Sequence, residues 1–337
     1  MCGRRRDVFV MRTLITGITG FVGSHLAEMI LRDHPEWEVH GTKRWRSPRE
    51  NLVNVEESIT LHDCDLTDLS SLIRVLDEVK PDRIFHLAAQ SYVMMSYRAP
   101  TATVDSNVNG TINLFEALRT LGQDPLIHAC SSSEVYGQVR DEDIPIKEDT
   151  QFRPASPYAV SKVGEDMAGY MYHHAYGLKI IRTRMFTHSG ARRGEVFVDS
   201  AFARQIARIE AGIQEPVLKV GNLDSVRTFA DVRDVCRAYW LLLEKCPPGE
   251  VYNIGGESTM TIREMLDLLL DMTDLKDQIE VTVDPELLRP ADVTNQVPSS
   301  DKFKAATGWE PEVPYSETLK AMLDYWRSRI KNNDDRR

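Results

Sequence analysis

Residues 13–23 read Thr-Leu-Ile-Thr-Gly-Ile-Thr-Gly-Phe-Val-Gly. A short apolar run leads into three glycines, Gly17, Gly20 and Gly23, and apolar residues then recur at helical spacing from Phe21 to Leu31. Glycines at this point allow a tight turn, a close backbone approach to a pyrophosphate, and close packing of helix on strand. The helix would then present its N-terminal N–H groups to the phosphates. A glycine triplet alone is a weak signal. Its place between a strand and a helix, at the start of the fold, strengthens it.

Two motifs further along strengthen it more. They are Ser131-Ser132-Ser133-Glu134-Val135-Tyr136-Gly137 and Tyr158-Ala159-Val160-Ser161-Lys162. A tyrosine four residues before a lysine shares a helix face with it. A phenol is a weak acid, and an ammonium alongside favours the phenolate and lowers its pKa. Ser132 can hydrogen-bond the same substrate oxygen. Tyr158, Lys162 and Ser132 together can take a proton from a hydroxyl while hydride leaves its carbon. Glu134 adds a second acid/base, which points beyond simple oxidation. An isolated Tyr-x-x-x-Lys is more often an exposed helix pair, so the glycine turn upstream decides its meaning.

The rest of the chain alternates. Thr13–Thr16, Glu38–Gly41, Thr60–His62, Arg83–Leu87 and Leu126–Ala129 have the pattern of short buried strands, with helical patterns between them, such as Leu69–Val79 and Thr103–Leu121. Such alternation predicts an α/β fold with a doubly wound parallel sheet. From Met185 onward the pattern is less regular. The 337 residues have room for a nucleotide-binding domain and a smaller second lobe.

Composition narrows the function classes. A net charge of −10 argues against general nucleic-acid binding while leaving room for a local basic pocket. The five cysteines are odd in number and scattered, with no Cys-x-x-Cys, so neither a disulfide framework nor a zinc site is expected. No metal site is expected, and a reducing cytoplasm fits. No apolar stretch is long enough to cross a membrane. Residues 1–10 are basic but too short in apolar residues for a signal peptide. They read as a disordered extension, with the fold beginning at Met11, and residues 331–337 read as a charged tail.

The end of the second strand bears on the cofactor. An acidic residue usually holds the ribose 2′-hydroxyl of NAD there. This chain has Gly41-Thr42-Lys43-Arg44-Trp45-Arg46-Ser47 instead. Lys43, Arg44 and Arg46 would bind a 2′-phosphate through charge-assisted hydrogen bonds, so NADP is expected.

From about Met11 to about Trp326 the chain resembles the extended short-chain dehydrogenases/reductases that act on nucleotide sugars. It is most similar to the GDP-mannose 4,6-dehydratases, with the GDP-4-keto-6-deoxymannose reductases close behind. Ala89-Gln90-Ser91-Tyr92-Val93-x-x-Ser96 and Arg192-Arg193-Gly194-Glu195-Val196-Phe197-Val198 match dehydratase patterns. Phe21-Val22 and Gly41-Thr42 lean towards the reductases, and a glutamate in the position of Glu134 occurs in both groups. Thr187 stands where the family has asparagine, and Arg227-Thr228 where it has Arg-Asp.

The resemblance implies a Rossmann domain over residues 11–185 and, mainly over 186–330, a smaller interleaved α/β substrate lobe with segments returning to the sheet. It implies cofactor contacts from Gly17, Gly20, Phe21, Val22 and Gly23, from Asp65 and Leu66 at the adenine, and from Leu87, Ala88 and Ala89 beside the phosphates and nicotinamide ribose. For the substrate it implies Ser91, Thr187, His188, Arg192, Val198, Lys219, Arg227, Arg289 and Asp292, alongside Ser132 and Glu134. His173 and His174 have no ligand constellation around them. The implied partner is a GDP-sugar, and the implied assembly is a homodimer at least. Trp45 interrupts the arginine loop through which family members form tetramers. The alternatives to dehydration are reduction of the 4-keto sugar, dehydration or epimerisation of a related nucleotide sugar, and an NADP-binding regulator without catalysis.

Overall fold

The computed structural model describes residues 11–288, 291, 293 and 295–333. Six strands appear in the first half of the chain: β1 (Met11–Thr16), β2 (Trp37–Lys43), β3 (Thr60–Asp63), β4 (Arg83–His86), β5 (Leu126–Ser132) and β6 (Ile180–Met185). Later strands are β7 (His188–Ser189), β8 (Val217–Val220), β9 (Val226–Asp231), β10 (Val251–Ile254), β11 (Ser258–Thr261), β12 (Glu280–Val283) and β13 (Asn295–Gln296). The main sheet has seven strands in the order β10-β6-β5-β4-β1-β2-β3, all parallel. Strand order reverses between β1 and β4, and a crevice at that switch point is where such sheets bind ligands.

Helices cover both faces, as a doubly wound sheet requires. The helices of the first half are α1 (Phe21–Asp33), α2 (Leu69–Val79), α3 (Val93–Arg98), α4 (Pro100–Val104), α5 (Gly110–Leu121) and α6 (Pro157–Tyr176). Those of the second half are α7 (Val198–Glu210), α8 (Val232–Lys245), α9 (Ile262–Leu270), α10 (Asp301–Thr307) and α11 (Tyr315–Lys331). On one face Leu26 and Ile30 of α1 meet Val235, Tyr239 and Leu242 of α8. On the other, Leu72 and Val75 of α2 pack with Leu114 and Leu118 of α5 and Tyr172 of α6. A separate apolar cluster joins α7, α9 and α11 beneath the small sheet β11-β9-β13. Strand β10 carries the chain back from that lobe to the edge of the main sheet.

The expected helix over Thr103–Leu121 begins three residues earlier and is not uniform. Between α4 and α5, Asp105–Asn109 form one π-helical turn. Such bulges place an extra residue on one face and often sit at functional sites. Here the extra turn delivers Asn107. Its Nδ2 donates to the Gln90 carbonyl at 3.0 Å and to Ser161 Oγ at 2.9 Å, and its Oδ1 accepts from Gln90 N at 2.7 Å. The loop after β4 is thereby fixed against α6.

Helix α6 carries Tyr158 and Lys162, so its seating matters most. Ser156 caps it by accepting from Ala159 N, Pro157 opens it, and Gly177 ends it in the left-handed region. Its axial rotation is locked by Asp166, which is fully buried and accepts from Arg182 Nη1 and Arg184 Nε of β6, each at 2.8 Å. Removing one member of a buried ionic group leaves the others desolvated and unpaired, at a cost of about 3–5 kcal/mol. Asp166→Ala should therefore lose about that much stability in urea unfolding. A loss below about 1 kcal/mol would show that the bridge does not hold the helix.

Candidate active site

A cleft of about 1150 Å³ runs along the C-terminal ends of β1 and β4 and out between the lobes. That is room for a dinucleotide and a second nucleotide together. The glycine turn forms its floor. Gly17 has φ +70°, and a Cβ there would lie 2.9 Å from Ala88 Cα, so both conformation and space exclude a side chain. At Gly23 a Cβ would lie 2.6 Å from the Gly17 carbonyl oxygen, which is the close helix–strand contact expected from the sequence. No side chain caps α1 and no acid occupies its first turn, so its leading N–H groups at Phe21 and Val22 are open to an anion. A dinucleotide pyrophosphate fits this cradle.

The loop beside the turn is fixed by a chain of hydrogen bonds. Thr16 Oγ1 accepts from Leu87 N and Ala88 N, both at 3.1 Å, and so donates to His86 Nδ1 at 2.9 Å. His86 then keeps its proton on Nε2 and donates to Thr111 Oγ1 at 2.9 Å, which in turn donates to the Asn107 carbonyl at 2.6 Å. Burial pushes His86 down to about 3, so the ring stays neutral. Leu87, Ala88 and Ala89 line the cleft as a result.

At the far end of the cofactor half, Asp65 and Leu66 line the cleft, with Lys43 and Arg44 nearby. Lys43 is ion-paired with Asp63 of β3. The guanidinium of Arg46 stacks on Trp45, 4.7 Å from the ring centre, and does not line the cleft. Of the three basic residues, Arg44 is the one that both lines the cleft and is exposed to solvent.

The centre of the cleft holds Ser132, Glu134, Tyr158 and Lys162. Ser132 ends β5, and its Oγ accepts from Glu134 N at 3.2 Å, starting the short turn that aims Glu134. Ser132 also hydrogen-bonds Tyr158. Burial is the dominant influence on Tyr158 and pushes its phenol above the ordinary value; Lys162 is the largest opposing influence, followed by Ser132. The sequence expectation of a lowered phenol was thus right about the sign of the lysine and wrong about the balance. Desolvation of a fully buried phenol outweighs one cation that is itself paired. Lys162 Nζ donates to Glu165 at 2.6 Å and to the Cys130 carbonyl at 2.7 Å. Glu165 holds Lys162 as an ammonium, while burial raises the Glu165 carboxyl to about 7.

On the second-lobe side Ser91, Thr187, His188, Val198, Lys219 and Arg227 all line the cleft. His188 is pushed down to about 4 by burial. Its Nδ1 faces the Phe186 carbonyl at 3.1 Å, so that nitrogen carries the proton and Nε2 is left as an acceptor. Val198 opens α7, whose N-terminus lacks a side-chain cap but carries the buried Asp199 in its first turn, where it accepts from Ser200 N at 2.9 Å. Lys219 pairs with Asp284 at 3.3 Å. Arg192 turns away onto α1, where it pairs with Glu28 at 2.6 Å. Its neighbour Arg193 faces the cleft instead, paired with buried Asp199 at 3.2 Å and stacked over Phe197. Arg289 and Asp292 lie outside the described residues. Sequence reasoning passed over Asn107, Arg193 and Glu165, and also Gln296 of β13, which accepts from Ser133 Oγ at 2.6 Å beside the catalytic turn. The spacing of Glu165 from Lys162 was the one available signal among them.

Known proteins with this arrangement are numerous. A reductase of Pseudomonas aeruginosa named GDP-6-deoxy-D-mannose reductase is 35% identical over 320 residues, covering 95% of this chain and 98% of its own. The GDP-mannose 4,6-dehydratase of Yersinia enterocolitica is 34% identical over 351 residues, covering 93% and 92%. The solved structure of RMD from Pseudomonas aeruginosa, complexed with NADPH, superposes with a TM-score of 0.81 at 34% identity, covering 95% of this chain and 99% of that one. The family model described as GDP-mannose 4,6 dehydratase matches residues 14–322. That stretch runs from β1 into α11 and takes in the glycine turn, the residues at the centre of the cleft and the small sheet β11-β9-β13, so this chain belongs to the GDP-mannose 4,6 dehydratase family.

Proposed function

We propose that this chain dehydrates GDP-mannose to GDP-4-keto-6-deoxymannose. The match of residues 14–322 to the dehydratase family carries the reading, and Glu134, a carboxylate that lines the cleft beside Ser132 and acts electrostatically on Tyr158, supplies the acid/base that dehydration needs besides the oxidation set. Held by the glycine turn and Arg44, bound NADP would supply a hydride acceptor for C4 and a hydride donor for C6, with no net consumption. The chain moves the protons. Tyr158 as phenolate takes the O4 proton, Ser132 hydrogen-bonds O4, and Lys162 favours the phenolate. The new carbonyl acidifies C5–H, and Glu134 removes that proton. Glu134 then protonates the C6 hydroxyl, which leaves as water. C5 regains one proton and Tyr158 releases one, so two protons are taken from the sugar and two are used. Arg193 and Arg227, which line the cleft, suit the sugar diphosphate, because guanidinium groups bind phosphate oxygens bidentately.

The test is incubation of the purified protein with GDP-mannose and no added cofactor, with products read by mass. Loss of one water supports dehydration. Steady consumption of NADPH with GDP-4-keto-6-deoxymannose, and no turnover of GDP-mannose, would replace this reading with the reductase; the Pseudomonas relative keeps that alternative open. Glu134→Gln should block water loss by about 10²–10⁴-fold while sparing the first oxidation. Absorbance of reduced nicotinamide, near 340 nm, should then build up on the protein. Tyr158→Phe should show neither product nor absorbance. Near wild-type dehydration by Glu134→Gln would remove Glu134 from its role.

NADP should bind in preference to NAD, chiefly through Arg44, since Lys43 is committed to Asp63 and Arg46 to Trp45. A charge-assisted contact is worth about 1.5–3 kcal/mol, so Arg44→Ser should lower NADP affinity by roughly tenfold or more and leave NAD affinity unchanged. Equal losses for both cofactors in calorimetry would contradict the assignment.

The assembly we propose is a homodimer through α6. Val160, Met167 and Met171 recur on one face of that helix at 52%, 38% and 42% exposure, beside Tyr170 at 48%. An exposed apolar stripe of this kind marks an interface. Light scattering at micromolar concentration should return twice the chain mass, and a monomer would refute the stripe's role. Cys64, Cys130, Cys236 and Cys246 are free, which supports a reducing, cytoplasmic setting.

A further inference from the structure

An ammonium has three protons to donate. Lys162 commits two of them inside the protein, to the Cys130 carbonyl and to Glu165. The third is left for the cleft that Lys162 lines. The Lys162 and Glu165 side chains are 5% and 2% exposed. Glu165 follows Lys162 by three residues on the same helix face and does not itself line the cleft. It therefore stands behind the lysine, out of reach of substrate and cofactor, and the proton steps above make no use of it.

We propose that Glu165 is a positioning residue that fixes Lys162 and, through its charge, sets the pH at which Tyr158 becomes a base. The inference rests on Tyr158 being the base of the oxidation step. Lys162 favours the phenolate, whereas a carboxylate behind it opposes the phenolate. With Glu165 ionised, Tyr158 meets the field of an ion pair rather than that of a bare cation. That field falls off faster with distance, and so lowers the phenol less.

The other groups facing the pair come from every element around it. On α6 itself Asp166 adjoins Glu165, and its charge is engaged by Arg182 and Arg184 from β6. From β5 come Cys130 and His128, and from β4 His86; each acts on or feels Lys162. Burial raises the Cys130 thiol and lowers both histidines, so all three stay neutral through the working range. From α8, Tyr239 reaches Cys130 Sγ at 3.2 Å, and its own phenol is pushed well above the ordinary value by burial. Glu134, from the turn after β5, acts directly on Tyr158. Glu165 is thus the charged group placed to tune Tyr158 through its lysine without touching the reaction.

The test is the pH profile of kcat/KM for GDP-mannose, measured for the wild type, Glu165→Gln and Glu165→Asp. Glutamine keeps the size and an oxygen acceptor for Lys162 but removes the charge. The active form of Tyr158 is the phenolate, and with Lys162 kept an ammonium by the Cys130 carbonyl and the amide oxygen, removing a nearby negative charge lowers the phenol's pKa. The acid limb should therefore move to lower pH by roughly one unit in Glu165→Gln. Aspartate keeps the charge at longer reach, and its limb should fall between the two. A uniform drop in rate with the limb unmoved, or a limb moved to higher pH, would overturn the proposal and leave Glu165 a packing residue. Thermal unfolding and cofactor content are read on the same samples. If Glu165→Gln does not fold, Glu165→Asp decides: an acidward limb supports the proposal and an unmoved limb overturns it. If the wild type does not turn over GDP-mannose, the dehydratase reading has failed on its own. The three proteins are then compared on NADPH consumption with GDP-4-keto-6-deoxymannose. The phenol is the active form there, and the alkaline limb should move acidward in Glu165→Gln; an unmoved limb would again overturn the proposal.

Discussion

A buried carboxylate carries much of this structure. Asp166 has no exposed side-chain surface, and it ties α6 to β6 through two arginines at once. One arginine would leave the helix free to roll about the contact. Two, from alternate residues of one strand, fix both its height and its rotation. Tyr158 and Lys162 are two and one turns before Asp166 on the same helix, so their aim into the cleft follows from that bridge. Arg184 extends the tie further, donating to the Tyr136 hydroxyl at 2.9 Å and to the Glu148 carbonyl at 2.7 Å. The turn that follows Ser132 is thereby fixed to the same scaffold.

Around that scaffold, charges are arranged in depth. Cations stand at both ends of the cleft: Arg44 beside the start of α1 at one, Arg193 and Arg227 at the other. The anions needed to balance the buried cations lie one layer behind, at Glu165 under Lys162 and Asp199 under Arg193. Local cations are therefore available to anionic groups at both ends although the chain as a whole is acidic, with a net charge of −10. Net charge described what the chain does not bind, and the local layering describes what it can.

The strands and helices of the first half were legible because their signals are local. Gly20 and Gly23 answer to a steric need within a few residues of themselves, Gly17 has a left-handed turn conformation of its own, and α2 falls on the expected Leu69–Val79. The four catalytic candidates were legible because helix periodicity and one strand end bring them together. Legibility failed where the deciding partner is distant in sequence. Arg192 is drawn to Glu28, 164 residues away, and no local pattern tells which of two adjacent arginines will turn to the cleft. The π-helical turn at Asp105–Asn109 was hidden because its sequence is compatible with a regular helix; tertiary pairing of Asn107 with Gln90 and Ser161 selects the bulge. The net rise of the Tyr158 phenol was hidden because burial depth is a property of the folded whole.

The seventh strand of the main sheet has a consequence for how the chain is made. Six strands are complete by Met185, but the partner of β6 is Val251–Ile254, which leaves the ribosome much later. In the interval β6 is an open edge, the kind of surface that recruits strands from other chains. Its sequence, Ile-Ile-Arg-Thr-Arg-Met, is apolar enough to be dangerous and is interrupted at alternate positions by the two arginines. Inward-pointing charges on an edge strand discourage intermolecular pairing. The same guanidinium groups that lock α6 thus also place charge on the strand that stays an edge until β10 has been made.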